Sequence, residues 1–345
     1  MTNGFFFTMK YRSLGRTGVQ VSEICLGCMT FGAATETKDA YAIIDRAIDV
    51  GINFLDTANM YSRGRSEEVT GEALKANGKR AKIVLATKVH GQMADDDPNA
   101  AGNSRRHIIE QCEASLRRLQ TDYIDLYQIH RPQPDIPIDE TLRALDDLIR
   151  AGKVRYIGCS TFSAWQIVES MWVAKELGLN RFVCEQPPYN LLDRRIEREL
   201  LPMAQTYGFA VIPWSPIGAG LLTGKYRRGK MPKEGRFTDV SALPRGIARR
   251  FTDGVFELVD QLDPIAAEKG CTLAQLALTW VLGRPGVTSP IIGPRTMEQF
   301  EDNLGALGVV LSDEDLSQID ELVPPGSMVS PFYEADFGPH LYRWL

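Results

Sequence analysis

Short apolar runs rich in β-branched and aromatic residues recur along the chain. Each is followed by a longer stretch in which apolar residues return every three or four positions. The runs begin near Val21 (VSEICLG), Asn53 (NFLDTA), Lys82 (KIVLATKV), Tyr123 (YIDLYQIH), Val154 (VRYIGCS), Phe182 (FVCEQPP), Ala210 (AVIPWSP) and Thr288 (TSPIIG). Apart from the last interval, successive starts are about one βα unit apart, roughly 30 residues or more. In the stretch DAYAIIDRAIDVG, Ala40, Ile43, Ile44, Ala47 and Ile48 share one helical face, and Gly51 stands where a helix commonly ends. RHIIEQCEASLRRL and DETLRALDDLIRAG carry the same period. Eight strands buried on both faces and alternating with amphipathic helices predict either a closed parallel barrel or an open doubly wound sheet.

Two features select the barrel. No G-x-G-x-x-G follows the first strand; Gly218-Ala-Gly220 with Gly224 has one residue too many. The chemically distinctive residues also gather at the C-terminal ends of the runs: Asp56, Lys88, His130, Ser160, Gln186, Trp214 and Gly293. In a closed barrel those ends converge on one mouth, where barrel active sites lie. The expected fold is therefore an α/β (β/α)8 TIM barrel with three additions. YRSLGRTGVQVS reads as an N-terminal hairpin across the barrel bottom. A long segment separates strands seven and eight, with a Gly/Arg/Lys-rich loop from Gly218 to about Arg250 and helical patterns at 251–269 and 272–283. After a last barrel helix at 296–304 and a helix N-capped by Ser312, with Asp315 three residues on, comes a C-terminal extension at 324–345. Its aromatics (Phe332, Tyr333, Phe337, Tyr342 and Trp344) predict packing on the barrel mouth or on a second copy in a homo-oligomer. The whole of 1–345 reads as one barrel domain, with residues 1–8 as an extension.

Composition narrows the function classes. The net charge of −5 and the lack of a dense Lys/Arg run give no footprint for nucleic acid. No apolar stretch reaches the roughly 18 residues of a membrane span, and the N-terminus lacks the basic leader of a signal peptide. Six Cys, three of them (Cys25, Cys159, Cys184) in strand-like runs, suit a cytoplasmic protein with reduced thiols. Cys25 and Cys28 form a C-x-x-C, but it lies within a strand run and has no second ligand pair, so no metal is expected.

The mouth carries a specific chemistry. Asp56 ends the second predicted strand, Tyr61 follows in a short loop, Lys88 ends the third strand and His130 the fourth. Carbonyl reduction needs a proton donor for the developing alkoxide, a group that tunes the donor and a third that orients the carbonyl. An unassisted phenol, ionising near pH 10, is a poor donor; a neighbouring ammonium stabilises the phenolate, and a carboxylate holds that ammonium. A barrel lysine can instead form a Schiff base if its pKa is depressed, but a carboxylate such as Asp56 raises it.

GINFLDTANMYSRGRSEEVTGEAL closely resembles the aldo-keto reductase signature, as do VLATKV, DLYQIHRP, GCSTFS, PYNLLDR, VIPWSPIGAGLLTGKY and IIGPRTMEQFEDN, in the family's order from about Tyr11 to Leu322. The resemblance implies an oxidoreductase that reduces an aldehyde or ketone with NADPH (NADH being the second choice). Asp56, Tyr61, Lys88 and His130 then form the catalytic tetrad, with Tyr61 as general acid. It further implies that Ser160, Thr161 (where the family commonly has Asn) and Gln186 hold the nicotinamide carboxamide. Trp214 stacks on the ring, and Gly27, Cys28 and Met29 line its pocket together with Asp56. Ser215, Pro216, Ile217, Gly218, Leu221 and Lys225 resemble the pyrophosphate segment, with Arg236 as a clamp. Gly293, Arg295, Thr296 and Gln299 resemble a helix N-terminus for the 2′-phosphate, and Asp302 with Asn303 the adenine contacts. Met60, His90 and Trp165 are expected around a small-molecule carbonyl substrate. Some relatives, the potassium-channel β-subunits, use the fold as a cofactor-bound regulatory partner.

Overall fold

The computed structural model describes residues 8–232, 237–238 and 245–332. The chain opens with an antiparallel hairpin, β1 (Tyr11–Ser13) and β2 (Gln20–Ser22). It then alternates through β3 (Cys25–Gly27), α1 (Thr37–Asp49), β4 (Phe54–Asp56), α2 (Arg65–Asn77), β5 (Val84–Val89), α3 (Arg105–Leu119), β6 (Ile124–Ile129) and α4 (Ile138–Arg150). β7 (Val154–Ser160), α5 (Ala164–Leu177), β8 (Cys184–Gln186), α6 (Leu200–Tyr207) and β9 (Ala210–Val211) continue the pattern. The long connection holds α7 (Arg245–Ala248), α8 (Asp253–Glu268) and α9 (Leu273–Leu282), before β10 (Ile291–Ile292), α10 (Met297–Gly305) and α11 (Asp313–Leu322).

Strands β3 to β10 form one parallel sheet in the order β10-β3-β4-β5-β6-β7-β8-β9. The amides of Thr288 and Ile291 donate to the carbonyls of Val211 (2.7 Å) and Pro213 (2.8 Å), which brings the last strand segment back to β9 and closes the barrel. Side chains alternate across each strand. The lower inward layer is apolar: Cys25, Phe54, Ala86, Leu126, Cys184, Ala210 and Ile291 pack with Leu14 and Val21 of the hairpin. The hairpin is thus the bottom plug that its pattern predicts. Gly15 makes that seating close: its φ is +58°, and a Cβ there would stand 2.7 Å from the Val183 carbonyl and 2.8 Å from the Ala210 amide.

The next inward layer, one pleat higher, is polar: Asp56, Lys88, Gln128 and Gln186, all buried. Gly158 sits beside Gln128 in the β6–β7 register. A Cβ at Gly158 would lie 2.5 Å from Cys184 Sγ and 3.3 Å from Gln128 Cγ, so β7 leaves no room for a side chain at this level.

The helical readings hold closely. In α1, Ala40, Ile43, Ile44 and Ala47 are buried and Gly51 has φ +93°. Ser312 caps α11 and shares a capping box with Asp315. α8 and α9 fill the two predicted helical stretches, N-capped by Thr252 and Thr272. One boundary differs. The run VSEICLG is not one strand: Val21 belongs to the hairpin, and only Cys25–Gly27 enter the barrel. The chain breaks between them because the Ser22 hydroxyl donates to the Ile24 carbonyl (2.7 Å) and the Glu23 amide donates to the Lys10 carbonyl (2.9 Å). Of the C-terminal aromatics, Phe332 is buried under the Arg250 guanidinium, 4.5 Å from its ring centre. Tyr333, Phe337, Tyr342 and Trp344 lie outside the described residues. Among the described residues no helix is long and apolar enough to cross a membrane.

Candidate active site

Lys88 is the centre of the mouth. Its side chain is fully buried, and Nζ donates to Asp56 Oδ2 (2.5 Å), the Thr57 carbonyl (2.8 Å) and the Tyr61 hydroxyl (3.4 Å). An ammonium has three protons, and each has a partner here. β4 delivers Asp56 at its last residue, and β5 delivers Lys88 one residue before its end. Tyr61 starts a tight turn, Tyr61–Gly64, in which Ser62 and Arg63 hold left-handed φ values of +49° and +53°. Such conformations cost on the order of 1 kcal/mol each for non-glycine residues and persist where surrounding contacts impose them. His130 follows β6 directly and meets the Tyr61 ring edge-on, with centroids 5.6 Å apart. The four residues singled out in the sequence are therefore one cluster.

Electrostatics gives each its state. Burial opposes the charge on Lys88, but Asp56 and Tyr61 outweigh it and raise its pKa above the ordinary lysine value. A raised pKa keeps the amine protonated, which argues against the Schiff-base alternative. His130 goes the other way. Burial, then the positive charges of Arg131 and Lys88, and then His90 lower its pKa well below the ordinary histidine value, so the imidazole is neutral. Its Nδ1 is buried with no hydrogen-bond partner.

The other expected residues surround this cluster. Ser160 ends β7, and its hydroxyl donates to the Gln186 carbonyl (2.8 Å). Thr161 has φ +62°, and its hydroxyl oxygen accepts from Arg131 (2.9 Å). Trp214 follows β9 half-buried, with its indole N–H unpartnered. Ser215, Gly218, Ala219 and Gly220 all have positive φ, which folds the segment after it into a tight loop. A Cβ at Gly220 would lie 3.6 Å from Lys225 Nζ, so that ammonium lies across the loop's glycine face. Pro216 and Leu221 are buried and Ile217 half-buried, while Ser215 is half-buried and Lys225 exposed. A loop of this shape with a lysine across it suits a pyrophosphate. At α10, Thr296 is the N-cap, accepting from the Gln299 amide (3.2 Å). Arg295 is half-buried beside it, and its amide donates to Gln299 Oε1 (2.9 Å). Gly293 is exposed and Asn303 buried. The Asp302 carboxylate accepts from Gln275 Nε2 (2.9 Å) and the Thr272 hydroxyl (3.3 Å), which ties it to the α9 cap.

Gly27 lies against Ile291, with no room for a Cβ. Cys28 turns its thiol into the core outside the barrel, where burial pushes its pKa up to about 12; only its backbone lies toward the mouth. Met29 and Met60 are exposed rims, Trp165 is half exposed at the start of α5, and His90 Nδ1 meets Asn103 Oδ1 (2.9 Å). Arg236 lies outside the described residues.

Two buried groups escaped the sequence reading. Gln128 Nε2 donates to Asp56 Oδ1 (3.1 Å). Glu185 Oε1 accepts the Phe162 amide (3.1 Å), bracing the Ser160–Phe162 turn from behind. The signal for Gln128 was present: it stands two residues before His130 in the run YIDLYQIH, hence on the same inward face.

A model described as the aldo/keto reductase family matches residues 23–324. Among curated proteins, the chain is similar to an uncharacterized oxidoreductase, YrpG, of Bacillus subtilis: 39% identical over 346 residues, covering 97% of this chain and 100% of that one. It is also 39% identical to a probable voltage-gated potassium channel subunit beta of Oryza sativa, over 91% of this chain and 97% of that one. A versiconal hemiacetal acetate reductase of Aspergillus parasiticus is 34% identical, over 92% and 98% of the two chains.

Proposed function

The chain belongs to the aldo/keto reductase family of oxidoreductases, and from that premise we propose that it is an NADP-dependent carbonyl reductase with Tyr61 as the general acid. The observation that carries this reading is the Asp56–Lys88–Tyr61 chain of contacts at the barrel mouth. Ser160, Gln186 and Trp214 are the residues that would hold the nicotinamide end of the cofactor. The loop after Trp214 with Lys225, and Arg295 at the α10 N-terminus, would hold its phosphates. When bound there, the cofactor would supply a hydride for the carbonyl carbon of a small aldehyde or ketone.

The chain's own residues do the rest. The neutral His130 orients the carbonyl oxygen without placing a second positive charge beside Lys88. Tyr61 gives its proton to that oxygen as negative charge develops. Lys88, pinned by Asp56, stabilises the phenolate left behind, so the proton transfer and the charge it creates are handled within one cluster. Arg295 favours NADPH over NADH because only the former carries a 2′-phosphate for it to pair with.

The test is consumption of NADPH, with NADH alongside, against a panel of aromatic aldehydes, sugar aldehydes and ketones, using wild type and Tyr61→Phe. We expect wild-type turnover and a loss of roughly 100-fold or more in the variant with NADPH affinity retained, the scale of a lost general acid. Equal turnover by the two proteins would overturn Tyr61 as the acid. Tight NADPH binding with no turnover on any carbonyl would favour a cofactor-bound regulatory module, a reading that the relative named as a channel subunit keeps in play.

A further inference from the structure

Asp56 is held by more than Lys88. One carboxylate oxygen, Oδ2, takes the ammonium; the other, Oδ1, accepts two amides, from Gln186 Nε2 (2.9 Å) and Gln128 Nε2 (3.1 Å). Gln186 Nε2 also lies 3.2 Å from Gln128 Oε1, which closes a triangle of two amides and a carboxylate inside the barrel. Its orientation follows from chemistry, because a carboxylate held as an ion only accepts, and both glutamines must turn their NH2 groups to it. Gln186 then spends both N–H bonds inside the triangle and keeps its oxygen for whatever binds above. Gln128 Oε1 is the second acceptor that holds that rotation, beside Asp56 Oδ1.

Packing does not explain Gln128. The inward residue one pleat below it is Leu126, and the layer there is apolar throughout. A leucine at 128 would fill much the same space beside Gly158. A buried amide costs on the order of 1–3 kcal/mol unless its hydrogen bonds are met, and here they are met by an ionised group, where such bonds are strongest.

We propose that Gln128 is a positioning residue that acts through Asp56 and Gln186, sharing the carboxylate's charge so that the Lys88 ammonium stays available to Tyr61, and setting Gln186 with its oxygen toward the mouth. This rests on the reductase reading of Tyr61 and Lys88 given above. With one amide fewer, Asp56 draws Lys88 more strongly to itself, and the phenolate of Tyr61 is less supported. Tyr61 then holds its proton to higher pH and gives it up less readily.

The experiment compares Gln128→Leu with Leu126→Val, a packing change one pleat below that touches no polar group. In Gln128→Leu we expect kcat for carbonyl reduction to fall about 3- to 10-fold with the carbonyl KM nearly unchanged. The alkaline limb of the kcat–pH profile should move up by about half a unit. NADP+ binding, followed by quenching of protein fluorescence, should weaken a few-fold as Gln186 loses one of its two acceptors. A readout free of turnover is the ring-carbon NMR signal of Tyr61, assigned with Tyr61→Phe, whose titration should move in the same direction. Leu126→Val should move none of these. An unchanged pH profile and Tyr61 titration in Gln128→Leu, or the same changes in Leu126→Val, would overturn the proposal. If the wild type reduces no carbonyl but the Tyr61 titration still moves, the reductase reading fails and the coupling stands.

Discussion

Glu185 faces outward from β8 into the core behind the mouth, fully buried, with Oε1 on the Phe162 amide and Oε2 without a partner. Burial raises its pKa to about 8, against the smaller opposing effects of the Cys159 thiol, the Phe162 and Thr161 amides and Arg131. The native protein therefore holds a proton there across a range in which the unfolded chain, with an ordinary carboxyl near 4.5, has lost it. The stability this proton contributes is complete below about pH 4.5 and is lost as pH rises through about 8. Replacing the carboxyl with an amide keeps the acceptor for Phe162 and removes the ionisation. In Glu185→Gln, then, stability relative to wild type should grow with pH. At about 1.4 kcal/mol per unit, levelling off near pH 8, the gain between pH 6 and pH 8 is about 2 kcal/mol. A chain of 345 residues with an unfolding entropy of about 2.1 cal/mol/K per residue changes its stability by about 0.7 kcal/mol per degree near Tm, so the Tm difference should widen by about 3 °C. Calorimetry of both proteins at pH 6, 7 and 8 measures it, and every group common to the two cancels. Parallel Tm curves, or a difference that widens toward acid, would refute the reasoning.

Two further changes test the buried charge and the plug. Lys88→Met leaves the Asp56 carboxyl buried without its ion partner; we expect about 3 kcal/mol or more of destabilisation in chemical unfolding together with loss of turnover. Adding Asp56→Asn should return much of the stability and none of the activity, and an unaffected unfolding midpoint in the single variant would contradict the pairing. Gly15→Ala places a methyl where Val183, Gly208 and Ala210 leave no room and forces a left-handed φ on a residue with a Cβ, so a loss of about 1–3 kcal/mol should appear as a lowered Tm. Because that hairpin lies at the opposite end of the barrel from the mouth, KM and kcat of the folded protein should not change.

The barrel was legible because its strands are buried on both sides, which makes each an unbroken apolar run, and because the helices between them each hide one face. The one misplaced boundary, at Val21, arose where two strands follow each other with almost no turn between them: the hydroxyl of Ser22 breaks the chain's direction, and no glycine or proline marks the place. Asp56, Lys88 and His130 could be read because they end runs that fix their register, and Tyr61 because a short loop can carry it nowhere else. Cys28 shows the limit of that reasoning. Proximity along the chain brings its backbone to the mouth, yet its thiol, one residue beyond the inward-facing Gly27, points into the outer core.

Gln128 and Glu185 were missed for opposite physical reasons, and together they say how such a site is built. Gln128 sits in a run, YIDLYQIH, whose inward face is read correctly at His130; counting back by two finds it, but a lone amide among apolar residues carries no recognisable chemistry until its partners are known. Those partners, Asp56 and Gln186, lie 72 and 58 residues from it in the chain, and only barrel closure brings them together. Glu185 lies on the outward face, where the apolar pattern forbids a charge, and it survives there by keeping its proton and taking the amides of the Ser160–Phe162 turn. The inward glutamine spreads the charge of Asp56, which must be ionised to hold Lys88; the outward acid fixes the left-handed turn at Thr161 without adding a charge beside that pair. A site that depends on one buried ammonium has to be polar enough on the inner face to keep that ammonium and neutral enough on the outer face not to compete for it. The second demand predicts that ionising Glu185, by raising pH above about 8 in the wild type, loosens the turn before it touches the Lys88–Asp56 pair.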